Sequence, residues 1–227
     1  MGETRADVHL VRSMMDLYDH FEDGLLDEVR AALKPSWVTK YGVQDAGYVD
    51  AETEASMVRE YSALNIPGLL QTKPYIKAVF EHASRRRSPE HLHNQIKVRL
   101  IRSERLTSDE NPLELIAVID EAALLWKVGA PEVRRAQLGH LIDMAELPSV
   151  TLQVLPLERG PHSSMEGPFI VLDFEPDEQP LLYHAYVTGA LHIESQAEVQ
   201  AARVVFDSLR SEALSPAESV ALIERLL

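Results

Sequence analysis

Histidines and carboxylates are the side chains in this chain whose spacing admits acid–base chemistry. His162, Ser163, Ser164, Met165 and Glu166 follow one another in a polar, glycine-bracketed loop over residues 158–167. A histidine four residues before a carboxylate can act as a general base beside its orienting partner. The plainer reading is a loop whose serines bond the local backbone. A second group is Tyr183, His184, Tyr186 and His192. On a strand, His184 and Tyr186 share one face while Tyr183 takes the other. A histidine and a tyrosine on one face could line a pocket as acid and base; a half-exposed sheet face is the plainer alternative. If the chain is an enzyme, its catalytic candidates are therefore His184, Tyr186, His162, Glu166 and His192, with no cofactor. His82, His91 and His93 form a third group. Two residues apart on a helix, His91 and His93 point in different directions, so no metal site is assigned. Asp120 and Glu121 could form an acidic pair, but Asp120 is better explained as a helix cap.

Other chemistries are excluded more firmly. No P-loop, GxGxxG, HExxH or GxSxG motif is present. The absence of cysteine removes thiolate catalysis, disulfides, cysteine-ligated zinc and iron–sulfur clusters. Lys+Arg is 22 against 36 Asp+Glu, a net charge of −14. A field of that sign repels phosphate backbones, so direct nucleic-acid binding is not expected. The one basic run, Arg85-Arg86-Arg87, reads as a solvated turn. No apolar run is long enough to span a bilayer, and the charged N-terminus lacks the apolar core of a signal peptide. A cytoplasmic protein with no membrane partner is expected.

The elements that must position these groups can be read in turn. Residues 7–33 carry apolar residues at helical spacing, in two short helices stopped by Lys34-Pro35. Trp37 and Tyr41 pin a linker onto the core. Asp50 caps a helix over residues 51–63, with Glu52 and Glu54 in its first turn. Pro67-Gly68 breaks the chain. Helices follow over residues 73–84, capped by Thr72, and from Ser88-Pro89 to residue 106. Residues 113–119 form an apolar strand, followed by helices over 121–126 and 131–146 and a strand over 150–155. That sequence is a βαβ unit, so its two strands are parallel neighbours. Strands over 169–174 and 181–187 pair antiparallel across a turn, and residues 190–194 extend the sheet. A helix covers 196–210. Ser215-Pro216-Ala217-Glu218 is a capping box opening the last helix, 216–227. The fold class is α+β: a helical N-terminal half, a mixed βαβ-containing sheet with flanking helices, then C-terminal helices. Residues 1–36 read as residual N-terminal helices. Residues 37–227 read as one domain: helical over 37–110, mixed sheet over 111–195, and helical over 196–227.

Several blocks carry a family resemblance. Glu52, Glu54-Ala55, Tyr61, Ile66-Pro67-Gly68-Leu69-Leu70-Gln71-Thr72 and Tyr75 come first. Asp120-Glu121-Ala122-Ala123-Leu124 with Gly129 and Gln137-Leu138 with Leu141 follow. Then come Val154-Leu155-Pro156 with Gly160, His162 and Gly167-Pro168-Phe169, and Ala213-Leu214-Ser215-Pro216 with Glu218-Ser219. In this order, from about Trp37 onward, they resemble the C-terminal domain of WhiJ-type, XRE-class regulators of actinobacteria. The resemblance implies a domain that usually follows a helix-turn-helix and that senses a signal or docks a small partner protein, as an antitoxin-like regulator does. The residues before Trp37 resemble the end of the missing DNA-reading domain and offer no basic face. Family members often carry a glutamate soon after the tyrosine at 183, where this chain has His184-Ala185-Tyr186.

The expected function is thus a ligand- or partner-binding regulatory domain. Its expected contacts are Pro67, Gly68, Leu69, Leu70, Gln71, Tyr75, Trp126, His162, Phe169, Tyr183 and His184. The partner would be a small molecule or a small protein, with a homodimer also possible. The alternative is a small enzyme recruited from this scaffold, acting by acid–base chemistry on a small molecule of specialised metabolism.

Overall fold

A computed structural model describes residues 36–43, 46–81, 88–176 and 178–227. The helices expected over residues 7–33, together with His82 and the arginines at 85–87, lie outside the described residues. Helix α1 (Ala46–Glu54) leads into strand β1 (Met57–Ser62). A 3-10 turn (Gly68–Leu70) and helices α2 (Lys73–Glu81) and α3 (Pro89–Ser103) connect β1 to β2 (Glu114–Asp120). Helices α4 (Glu121–Leu125) and α5 (Pro131–Ala145) lead to β3 (Val150–Leu155). Strands β4 (Phe169–Asp173), β5 (Leu181–Tyr186) and β6 (Gly189–Ile193) precede helices α6 (Gln196–Glu212) and α7 (Pro216–Arg225). The strands form one six-stranded sheet in the order β3-β2-β1-β4-β5-β6. The fold is α+β, as expected. β1, β2 and β3 are parallel, whereas β4, β5 and β6 add antiparallel to the other side of β1.

The caps expected at Ser88, Asp120 and Ser215 form. Asp120 accepts from the Ala122 N–H at 2.8 Å, and Ser88 accepts from the His91 N–H at 3.1 Å. The Ser215–Glu218 box closes reciprocally. The parallel β2–β3 pair and the antiparallel β4–β5 pair stand in register as the βαβ and hairpin readings require.

The helix expected over residues 51–63 is a correction. Helix α1 ends at Glu54, and Met57–Ser62 is the central strand of the sheet. The region 37–110 is therefore not all helical. Arg105 explains the break, because its guanidinium takes the Glu52 and Ala55 carbonyls at 2.6 and 2.8 Å and so ends the helix. Asp50 is not the cap. It lies inside α1 and accepts a 2.5 Å bond from the Ser36 hydroxyl. Glu52 sits near the end of that helix and is buried.

The sheet alternation sorts the core into two layers. Val58, Leu115, Ala117, Ile119, Leu152, Val154 and Leu172 belong to the main core, together with residues of α1, α2, α3, α5 and α7. On the other face Tyr61, Val118 and Leu155 pack against Phe206 and Leu209 of α6. The Pro67–Thr72 turn sits against the main core, with Leu69 and Leu70 fully buried. Its polar backbone is satisfied by two buried amides. Gln71 donates to the Ile66 carbonyl at 2.7 Å. Gln137 of α5 accepts from the Thr72 N–H and donates to the Leu70 carbonyl, both at 2.7 Å.

Replacing Gln137 by alanine strands a buried donor and a buried acceptor, so Gln137→Ala is expected to cost about 3 kcal/mol of stability. Urea unfolding measures this. A loss below about 1 kcal/mol would mean that the amide does not hold the turn.

Candidate functional site

The loop from β3 to β4 must cross the carboxyl ends of β2 and β1, because β4 pairs with β1 on its far side. Open sheets with parallel strands place ligands in such a crevice, where the strand order changes direction. Here it is a cleft of about 340 Å³ at the end of β1. The chain from Glu60 to Ile66 forms its base. Gly68, Gln71, Val79 and Arg99 stand on one side, and Phe169, Ile170 and Tyr183 on the other. A second cavity of about 200 Å³ adjoins it and shares Glu60, Gly68, Arg99, Ile170 and Tyr183. Tyr48, Gln95 and Arg102 complete its wall.

Glu60 dominates this site chemically. It is 8 % exposed and lies in register with Ala117 and Ile170. The Ser62 hydroxyl donates to its carboxylate at 2.8 Å. Burial raises its pKa from 4.5 to about 7; the Ser62 bond and the cations Arg102 and Arg99 oppose the rise, and Glu52 adds to it. The neighbouring charges are committed elsewhere. Arg102 grips Glu52 through Nε and Nη2, both at 2.5 Å, and the Tyr48 hydroxyl donates to the same carboxylate at 2.7 Å. Arg99 donates to Gln71 Oε1 at 2.5 Å and lies over the Phe80 ring. The cleft thus presents an apolar wall and one buried carboxyl that is half ionised near neutral pH. Such a group can hold a donor or move a proton.

His162 lies outside this cleft and clamps the crossing loop. Its Nδ1 accepts from the Ser164 N–H at 3.2 Å, so the proton of the neutral ring sits on Nε2. Nε2 is 3.2 Å from the Tyr61 hydroxyl and 3.8 Å from Asp120 Oδ2. Burial, and secondarily Asp120, raises the Tyr61 pKa well above its ordinary value, so its phenol stays protonated. Glu121 accepts from the Leu157 N–H at 2.9 Å and pins the start of the same loop.

The other candidates are dispersed. His184 and Glu166 line one cavity on the α6 face of the sheet. Tyr186 is 53 % exposed and leans over Gly189 at the β5–β6 hairpin. His192 is exposed and stacks on Tyr183, which also stacks on Tyr48. Of the expected contacts, Gly68, Gln71, Phe169 and Tyr183 meet in the cleft. Pro67 opens the 3-10 turn, and Leu69, Leu70 and Tyr75 are core residues. Trp126 is 57 % exposed, beyond the end of α4. Among the described residues no three His, Asp or Glu side chains gather as metal ligands. None of their helices is long and apolar enough to cross a membrane. Sequence reading missed Glu60, Arg99 and Ser62. The available signal was the short run between the Glu54-Ala55 helix end and Pro67-Gly68, which suits a strand as well as a helix.

The family described as "Domain of unknown function (DUF5753)" matches residues 46–225, a span that takes in the cleft, the crossing loop and α6. No curated protein and no solved structure matches the chain.

The raised pKa of Glu60 has a definite sign in stability. The folded state holds its proton more tightly than the unfolded state, so this stabilisation is complete below about pH 4.5 and is lost as pH rises through about 7. Relative to wild type, Glu60→Gln should therefore gain stability between pH 5 and pH 8, by roughly 3 kcal/mol at most. Urea unfolding at both pH values reads the difference. A mutant-to-wild-type gap that does not change with pH would show Glu60 to be solvated.

Proposed function

The chain belongs to the DUF5753 family, and we propose that it is the ligand-binding domain of a WhiJ-type transcriptional regulator. Its effector is a small organic molecule bound in the Glu60 cleft. The observation that carries this reading is a carboxyl nine-tenths buried in the central strand yet lining a cleft at the strand's end. Folding alone gains nothing from such a group, since an apolar residue would pack there without the desolvation cost. The ligand's apolar body would lie on Ile66, Val79 and Ile170, and its polar head would reach Glu60 and Arg99. The Pro67–Thr72 turn, the block most specific to the resemblance, supplies Gly68 and Gln71 to the same cleft. DNA contact by this acidic domain forms no part of the reading.

The same carboxyl favours a second reading, a small acid–base enzyme with Glu60 as the proton acceptor. The two readings separate on turnover.

A fragment screen by amide NMR is expected to give ligands that shift the signals of Ser62, Gly68, Ile170 and Tyr183. Glu60→Gln should weaken them about tenfold, the loss of one charge-assisted hydrogen bond. Ligands that avoid these residues, or that ignore the substitution, would remove the cleft as the effector site. Conversion of a bound compound, with a rate that follows a pKa near 7 and vanishes in Glu60→Gln, would replace the regulator by the enzyme.

A further inference from the structure

We propose that the ligand of the Glu60 cleft is a zwitterion: a free amino acid with an apolar side chain, its ammonium on Glu60 and its carboxylate on Arg99. The proposal rests on the reading of this cleft as an effector site and adds the chemistry of the effector.

The walls of the two adjoining cavities hold three charged side chains, Glu60, Arg99 and Arg102. Arg102 is already neutralised, because the buried Glu52 carboxylate takes its Nε and Nη2 together. Glu60 and Arg99 are left, of opposite sign, and both line both cavities. Each bonds a neutral group, Glu60 the Ser62 hydroxyl and Arg99 the Gln71 amide oxygen. A carboxylate and a guanidinium each offer more sites than one such bond uses, so both can take a ligand as well.

These two charges select the ligand. Arg99 and Arg102 both act on Glu60 electrostatically, so the three share one field. A cation held by Glu60 meets two arginines, and an anion held by Arg99 meets Glu60. A molecule that carries both charges satisfies both side chains and leaves the site neutral. Its side chain would lie in the cleft of about 340 Å³ on Ile66, Val79 and Ile170. Gly68 lines both cavities, and a Cβ there would stand 3.9 Å from Arg102 Nη2, so the absence of a side chain leaves space between the turn and α3.

Binding is coupled to a proton. The groups around Glu60 are Ser62 on its own strand, Glu52 and Tyr48 of α1, Arg99 and Arg102 of α3, and Tyr183 of β5. Its register partners Ala117 and Ile170 carry no charge. Glu60, with a pKa of about 7, must be ionised to hold the ammonium, so affinity should rise about tenfold from pH 6 to pH 8.

Calorimetry and amide NMR on the full chain test this with L-phenylalanine, L-leucine and L-methionine, and with phenethylammonium and 3-phenylpropanoate as the analogues of phenylalanine that lack one charge. At pH 8 phenylalanine should bind about tenfold more tightly than either analogue. Arg99→Gln should weaken phenylalanine about tenfold and leave phenethylammonium unchanged. Glu60→Gln should weaken phenylalanine to the same degree, leave 3-phenylpropanoate unchanged and remove the pH dependence. Gly68→Leu should block all the compounds. Should Arg99→Gln or Gly68→Leu unfold, Glu60→Gln, the variant expected to gain stability, decides alone. Equal binding of phenylalanine and its two analogues, phenylalanine binding that ignores Glu60→Gln, or no binding of any of the three amino acids overturns the proposal. The effector reading survives those outcomes where fragments of other chemistry still shift Ser62, Gly68, Ile170 and Tyr183; it falls with the proposal where none does.

Discussion

The structure depends on placing a charged strand at the centre of a sheet. β1 reads Met-Val-Arg-Glu-Tyr-Ser and is hydrogen-bonded on both sides, to β2 and β4. Its side chains point alternately into two covered faces. Arg59 meets Asp173 of β4, which in turn meets Arg203 of α6, so the charge on that face helps to seat the helix. Glu60 on the other face is treated differently. The strong cations nearby are bound to Glu52 and Gln71, and Glu60 receives a neutral hydroxyl. Removing an ion from water without a full counter-charge favours its neutral form, which is why the Glu60 pKa is raised. The site is the consequence of that imbalance.

This explains which parts of the molecule were legible. From residue 113 onward, strands and helices alternate with strong punctuation, and local signals such as Asp120, Pro131 and the Ser215 box coincide with real ends. Residues 51–63 offered no such contrast. Arg59 and Glu60 resemble the polar face of a helix, and β1 is a strand because β2 and β4 pair with it from far along the chain. Tertiary pairing overrides local propensity in such places. The site failed to show for the same reason: Glu60 gains meaning from Arg99, Arg102, Ile170 and Tyr183, which no spacing rule connects. The Ile66–Thr72 block was visible as a turn, but not its dependence on Gln137, since that contact joins two elements through amide bonds.

The histidines teach a related lesson. Adjacent positions on β5 go to opposite sides of a sheet, so Tyr183 and His184 cannot serve one pocket. Tyr183 stacks with Tyr48 and His192 on the main-core side, whereas His184 looks toward α6. His162 belongs to neither, because the loop that carries it must pass over the ends of β2 and β1 and is fastened there through Tyr61 and Ser164. A cluster of candidate residues close in sequence was therefore divided among separate environments by strand alternation and one long crossing.

That division has a mechanical implication. The cleft and the α6-side cavity lie on opposite faces of the same strands, and Phe169 lines both. β5 contributes Tyr183 and Ala185 to one and Leu182 and His184 to the other. A guest that shifts β4–β5 toward one side changes the space on the other. Packed interiors do not absorb such shifts without rearrangement. Any coupling between the two cavities must have equal magnitude in both directions, since it is a single free energy. The strand pair joins the sheet through β4, which pairs with β1, and leads to a hairpin exposed around Val187.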